Sequence, residues 1–401
     1  MNILIISAVF PPEPVVSASL SKDIAFELAK ENKVTVLCQN PTRPHGFNFT
    51  KGVGVNDYKV VRLNSYTCSA SKILNRFRES YSFGKHSFKY IADNHKNIDV
   101  IYANTWPLLA QYFTVKAARK YNIPIIIHVQ DLYPESLSNK IPLLNKVLNF
   151  ILLPIDKYVL RNATKVIAIS NKMKDYLLRT RKIEPATIEV VQNWQDEAGF
   201  INYDTIENSN DTANKVFTFM YLGNIGPVAG IELLIAAFVK ANIKNCKFVI
   251  AGSGSMRESL ERIVKNKKIQ NLEFWSVPEG KVPEIQAKAD IMLLPVKKGA
   301  ASSSIPSKLP AYMFSKRPII ACVDEDSDTA RVINSANCGW VLAPDDISAL
   351  SKMMEQVVLI SKEDSQELGM NGFNYAIDNL SKMKNLEKVI KCITDTIVNE
   401  I

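Results

Sequence analysis

The sequence holds no uninterrupted apolar run approaching the ~20 residues that span a bilayer, no C-x-x-C pair and no long biased tract. Each absence removes a class of protein. Without the apolar run, no transmembrane helix is expected. The six cysteines (Cys38, Cys68, Cys246, Cys322, Cys338, Cys392) lie far apart with no histidine at metal spacing, which argues for buried free thiols in a reducing compartment. With 15 glycines and 19 prolines in 401 residues, collagenous and low-complexity chains are excluded. The opening MNILIISAVF lacks a basic segment and a small-residue cleavage site, so it reads as a first strand and not as a signal peptide. What the chain has in excess is positive charge, 49 basic residues against 40 acidic ones, net +9. That excess favours an anionic surface or ligand. Aromatic residues do not alternate with the basic ones as a nucleic-acid face requires, so no nucleic-acid partner is expected.

A chain of 401 residues, 47% hydrophobic, is long for one core and suits two domains of about 200 residues each. The first half alternates strands with helices in the manner of an open parallel sheet. Strands are expected at 2–7, 34–38, 58–63, 100–103, 125–129, 166–169 and 188–196. A helix is expected from Leu20 to Lys30, with Leu20, Ile24, Phe26, Leu28 and Ala29 turned inward, and Ser170 is placed to cap another. The polar stretch 198–215 reads as a linker. Strands follow at 217–222, 247–251, 272–275, 291–295 and 318–322, and the last segment, 371–401, reads as helical with Val389, Ile390, Ile393 and Ile397 on one stripe. The expectation is an α/β chain: a first domain over 1–197, a second over 216–370, and a ligand cleft at the carboxyl ends of both sheets.

Two segments of the second half, MYLGNIGPVAGIELLIAAF and FVIAGSGSMRESL, share one grammar: buried strand, glycine turn, amphipathic helix. Such turns present backbone N–H groups and a positive helix end to a phosphate. Gly223, Asn224 and Gly226 form the first turn, Gly252 and Gly254 the second. The same glycines also occur wherever a doubly wound fold turns tightly.

Four segments in register resemble family 4 of the nucleotide-sugar glycosyltransferases: SAVFPPEPVVSASLSKDIAFELAK, HVQDLYPESL, YLGNIGPVAGIELLIAAF and PVKKGAASSSIPSKLPAYMFSKRPIIACV. The chain is most similar to the O-antigen and capsule enzymes, N-acetyl-L-fucosamine transferases among them. The resemblance implies the GT-B architecture, two facing Rossmann-like doubly wound domains with the C-terminal helix crossing back to the first. It implies a nucleoside diphosphate sugar donor held by the second domain, a lipid-linked saccharide acceptor held by the first, retention at the anomeric carbon, no metal and no other cofactor.

Breaking a sugar–diphosphate bond develops an oxocarbenium-like centre and a departing diphosphate, so the site needs positive charge and N–H donors at the leaving group. Ser307 and Lys308 of the PSK motif, Lys297, and the small residues 299–304 are the candidates for that contact, against a reading in which they form a solvated strand end and loop. His128 and Asp131 follow the apolar strand IPIIIHV. Asp131 is the candidate to orient or deprotonate the acceptor hydroxyl, and His128 to bond a sugar hydroxyl; the alternative makes Asp131 a helix cap and Glu135 a first-turn helix acid. Three positions depart from the family pattern. The first loop has Val15 to Ala18 where paired glycines are usual, Ala311 replaces the ribose-gripping glutamate, and Pro227 stands where an arginine often follows G-N-x-G. The acidic run Asp324 to Asp328 reads as a solvated loop, not a metal site.

Residues 71–90 and 141–160 combine apolar and basic side chains and read as interfacial helices against an anionic membrane. The resulting expectation is a cytoplasmic transferase, peripheral on the inner face of a bacterial inner membrane, acting in surface polysaccharide synthesis. A weakened subunit that scaffolds another transferase, motivated by Ala311 and Pro227, and a nucleotide-sugar epimerase of the same fold stand as the alternatives.

Overall fold

A computed structural model of the protein describes residues 1–43, 57–68, 73–104, 108–138, 145–203, 216–227, 229–298 and 305–398. The chain divides into two compact units, 1–193 with 385–401, and 194–384.

Unit 1 is built on seven strands: β1 (Asn2–Ser7), β2 (Lys33–Gln39), β3 (Lys59–Leu63), β4 (Val100–Asn104), β5 (Ile125–Val129), β6 (Lys165–Ala168) and β7 (Ile188–Val190). They pair in parallel in the order β3-β2-β1-β4-β5-β6-β7. Runs such as ILII and IIIHV are buried on both faces, as a sheet covered by crossover helices demands. The order reverses between β1 and β4, which makes the carboxyl ends of those two strands the switch point where open sheets bind ligands.

Unit 2 repeats the plan with β8 (Phe217–Leu222), β9 (Cys246–Ala251), β10 (Leu272–Trp275), β11 (Ile291–Pro295), β12 (Ile319–Cys322) and β13 (Gly339–Leu342). The order β10-β9-β8-β11-β12-β13 puts its switch point between β8 and β11.

Several expectations are corrected. The strand expected over 188–196 ends at Val190; after one more bond, from Val191 N–H to Ala168 O at 2.9 Å, the chain leaves the sheet. The first helix spans Val16–Ala29, and Phe26 is 52% exposed because two residues from Ile24 carry it to the opposite side of the helix. There Lys30 Nζ stands 5.7 Å from its ring centroid. Strand β13 was not anticipated: GWVL is short and only half-buried, so its pattern is weak. Of the expected linker, residues 204–215 lie outside the described residues, and 198–201 form a helical turn.

The C-terminal segment is two helices, Lys362–Asn379 and Lys382–Val398, broken at Leu380 and Ser381. At the break the buried Glu197 carboxylate accepts from Ser381 Oγ (2.5 Å) and from Lys382 N–H (2.8 Å). From Asn385 onward the last helix belongs to unit 1, where Val389 and Ile393 are fully buried.

Candidate functional site

At the switch point of unit 2, Lys308 lies directly over Gly223. A side chain at Gly223 would begin 2.2 Å from Lys308 Cε, so only glycine leaves the lysine its place. The lysine is fixed from behind. Tyr312, one turn on in the helix Lys308–Phe314, is fully buried; its hydroxyl accepts from Leu222 N–H (2.9 Å) and donates to Leu222 O (2.8 Å), stapling the helix to the end of β8. Lys308 Nζ stands 5.6 Å from the Tyr221 ring centroid, and Tyr221 OH donates to Asn224 O at 2.6 Å. Burial lowers the Lys308 pKa, and among the described residues no carboxylate comes within ion-pair distance of it. A half-buried cation without an anion is a costly arrangement unless a ligand supplies the charge.

The glycines of the second turn do different work. A Cβ on Gly252 would meet Gly223 O at 2.1 Å, and one on Gly254 would meet Ile225 O at 2.3 Å. Gly223 N–H donates to Ala251 O, Gly252 N–H to Trp275 O and Ile225 N–H to Ser253 O, at 3.0, 3.1 and 2.8 Å. Gly252 and Gly254 therefore let the β9 turn press backbone to backbone against the β8 turn, and the N–H groups of Gly223 and Gly252 are spent on that contact. Asn224 is exposed beside Gly226. Ser307 is exposed and makes no capping bond. Lys297, also exposed, packs its stem near Gly230, which opens the helix Ile231–Ala241 at φ +70°. Residues 299–304 lie outside the described residues. Ala311 is 8% exposed and packs in the core beneath.

In unit 1 the sequence reading places His128 at the carboxyl end of its strand as a candidate to bond a sugar hydroxyl; the structure keeps it at that strand end but encloses the ring. The imidazole is 1% exposed. Nδ1 lies 2.6 Å from Tyr102 OH and Nε2 2.9 Å from Gln130 Nε2. Gln130 Oε1 in turn accepts from Asn193 Nδ2 at 2.7 Å. With these amide orientations, Gln130 donates to Nε2 and the ring proton sits on Nδ1. Burial pushes the His128 pKa down to about 3, so the ring is a neutral member of an internal relay. Asp131 is exposed in the bend after β5. The next helix, Glu135–Ser138, begins four residues on, with Glu135 in its first turn.

Glu135 is held by Arg181 through two bonds of 2.7 Å and by Tyr176 OH at 2.8 Å, while Arg181 Nε donates to Asp156 at 2.6 Å. Burial pushes Glu135 up, but the Arg181 bonds outweigh it and its pKa falls. For Asp156 burial wins and lifts it to about 6. This cluster ties three helices together and leaves Glu135 no free oxygen for substrate.

Sequence reasoning missed a second group. At the β1/β4 switch point, Arg43, just beyond β2, and Arg76, in the helix Ile73–Asn94, converge on a cavity of about 250 Å³. They come from elements 33 residues apart in no motif, so nothing in the sequence pairs them. Among the described residues no three His, Cys, Asp or Glu side chains gather as metal ligands.

The family model Glycosyltransferase Family 4 matches residues 19–198, and Glycosyl transferases group 1 matches 202–375. The chain belongs to the family 4 glycosyltransferases. It is 22% identical to the probable glycosyltransferase WbjE of Pseudomonas aeruginosa over 313 residues, 74% of each chain. Among solved structures it resembles HepE of Anabaena in complex with UDP (TM-score 0.71, 15% identity, 98% of this chain and 100% of that one). It also resembles WaaG, a glycosyltransferase involved in lipopolysaccharide biosynthesis (TM-score 0.68, 14% identity, 98% and 99% covered). These likenesses establish the GT-B fold for this glycosyltransferase.

Proposed function

We propose that this glycosyltransferase moves a sugar from a nucleoside diphosphate sugar to a lipid-linked saccharide acceptor during O-antigen or capsule assembly. The observation that carries the reading is Lys308, a half-buried lysine with no carboxylate partner among the described residues, held over Gly223 at a sheet switch point. In the reaction, the bond between the anomeric carbon and the diphosphate oxygen breaks, its electron pair leaves on the diphosphate, and the acceptor hydroxyl bonds the carbon and gives up its proton. Lys308 neutralises the diphosphate as charge builds, where electrostatic stabilisation counts most. The turn at Asn224, which is exposed, and Gly226, which is buried, completes the donor contact with Ser307 and Lys297. Asp131 orients the acceptor hydroxyl or takes its proton. By resemblance the anomeric configuration is retained and no metal is needed. The UDP bound by HepE and the lipopolysaccharide role of WaaG support a nucleotide donor and a surface glycan product.

The acceptor's lipid calls for a membrane face. Val147 (55% exposed), Phe150 (83%) and Ile151 (55%) share one side of the helix Asn145–Arg161, with exposed Pro154 continuing the stripe. The helix Ile73–Asn94 exposes Leu74, Arg78, Tyr81, Lys85 and Lys89 at helical spacing. Residues 71–72 and 141–144 of the two expected interfacial stretches lie outside the described residues, and among the described residues no helix is long and apolar enough to cross a membrane. An apolar stripe near exposed lysine and arginine suits shallow insertion into an anionic leaflet, on the cytoplasmic side where nucleotide sugars are made.

The test is nucleoside diphosphate release from candidate nucleotide sugars, with and without extracted lipid-linked acceptors. Release that needs the acceptor is the expected result. No release with any donor, or release indifferent to acceptor, contradicts the assignment.

A further inference from the structure

Arg181, the last residue of the helix Asn171–Arg181, is 1% exposed, and every N–H of its guanidinium is engaged. Nη1 and Nη2 donate to the two oxygens of Glu135, each at 2.7 Å. Nη2 also donates to Tyr133 O at 2.9 Å, Nη1 to Thr180 Oγ1 at 3.0 Å, and Nε to Asp156 Oδ2 at 2.6 Å. The carbonyl of Arg181 accepts in turn from Arg161 Nε at 2.7 Å. These partners fall into two groups. Tyr133 and Glu135 belong to the segment after β5 that carries Asp131, while Asp156 and Arg161 belong to the helix Asn145–Arg161.

That helix has two faces with different work. Leu152, Asp156, Val159 and Leu160 are buried, and Tyr158 packs on Tyr112 with ring centroids 5.3 Å apart. Val147, Phe150 and Ile151 point to solvent. Phe150 and Asp156 stand about 9 Å apart along the axis at ~1.5 Å per residue. Burying three charges together stabilises a fold little beyond what hydrocarbon of the same volume would contribute. What the planar guanidinium fork adds is a fixed distance and direction between the groups it joins. Here it joins the helix with the exposed apolar stripe to the segment with Asp131.

We propose that Arg181 is a positioning residue: it locks the segment 131–135 to the helix Asn145–Arg161, so that Asp131 is held at a set height above the membrane into which Phe150 and Ile151 insert. The inference rests on the membrane face and on the acceptor role of Asp131 proposed above. A hydroxyl carried on a membrane lipid is confined near the leaflet, so the group that meets it gains from being held at a matching height. A misplacement of ~1 Å can cost ~100-fold in rate.

Removing the arginine itself would leave two buried carboxylates face to face, so the variants are made in its partners. Asp156→Ala leaves Arg181 its bonds to Glu135, Glu135→Ala leaves its bond to Asp156, and Asp156→Asn still offers Nε an acceptor; thermal melts report whether each folds. The first measurement, without substrate or lipid, is double electron–electron resonance between spin labels at Asp131→Cys and Lys146→Cys, with the half-buried Cys68 replaced by serine. The otherwise unchanged chain should give one narrow distance, either alanine variant a broadened distribution, and Asp156→Asn one in between. The second measurement is kinetic, in chains that keep Asp131. With extracted lipid-linked acceptors in vesicles, kcat should fall tenfold or more in both alanine variants, while donor KM and sedimentation with anionic vesicles stay as in the parent. Unchanged distances, or kcat within twofold of the parent in both alanine variants, would overturn the proposal. So would a loss of kcat matched by an equal rise in donor KM, which would make the cluster a stability element and nothing more. A failure of the membrane or acceptor reading shows in the parent chain alone, as no vesicle binding or no acceptor-dependent release. That result overturns the height along with the reading, whereas the spin-label distances, which need neither lipid nor acceptor, still judge the tie itself.

Discussion

Lys308 occupies the space that a side chain at Gly223 would need, its Cε 2.2 Å from where that Cβ would stand. The glycine is therefore part of the lysine's seat, and Tyr312, bonded to both polar groups of Leu222, holds the seat against the sheet. Gly223→Ala should displace the lysine's flexible end and not the backbone. Nucleotide affinity should fall about as far as in Lys308→Ala, and the two changes together should cost little more than either alone. Additive losses in a double-mutant cycle would show that the two residues act independently.

Gly252 contrasts with Gly223. A Cβ there meets the carbonyl oxygen of Gly223 at 2.1 Å, and a backbone oxygen locked in a turn cannot move aside. Gly252→Ala should destabilise unit 2 by on the order of 2 kcal/mol or more. Thermal unfolding reads this directly, and a melting temperature within a degree of the parent would refute the turn-on-turn packing.

His128 gives a pH signature. Its folded pKa is pushed down to about 3 by burial, against ~6.5 in an unfolded chain. Between those values the unfolded chain binds a proton that the folded chain refuses, so stability rises with pH across the window. The contribution is complete above ~6.5 and is lost as pH falls toward 3, amounting to about 2 kcal/mol between pH 7 and pH 5. Urea unfolding at the two pH values should show His128→Gln lacking that part of the slope. An unchanged slope would place the titration elsewhere.

Phe150 and Ile151 are 83% and 55% exposed, so replacing both with serine should leave the fold alone. The double variant should lose co-sedimentation with anionic vesicles. Raising salt to 1 M, where screening shortens to ~3 Å, should release the parent protein. Retained binding in the variant would remove the helix Asn145–Arg161 from the membrane face.

Much of the architecture was legible in the sequence. Apolar runs such as Ile3 to Ile6 and Phe248 to Ile250, followed by glycine or serine turns, have one sensible reading in a parallel sheet. Strand β13 escaped because an edge strand needs only a half-buried pattern. The site was less legible. Lys308 stood out by its motif, whereas the burial of His128 could not be foreseen, since the fully covered strand IIIHV has no solvent face to mark which way its last residues turn. Arg43, Arg76 and Glu79, like Arg181 with Glu135 and Asp156, meet only through tertiary packing and leave no local period or spacing.

The central claim is that unit 2 grips a nucleoside diphosphate through Lys308, and calorimetric titration of UDP into the parent chain and into Lys308→Ala tests it most directly. A charged hydrogen bond contributes ~1.5–3 kcal/mol, so the variant should bind about 10- to 100-fold more weakly while melting no earlier than the parent. UDP, GDP and dTDP each binding the variant as tightly as the parent, or none binding the parent at all, would contradict the account.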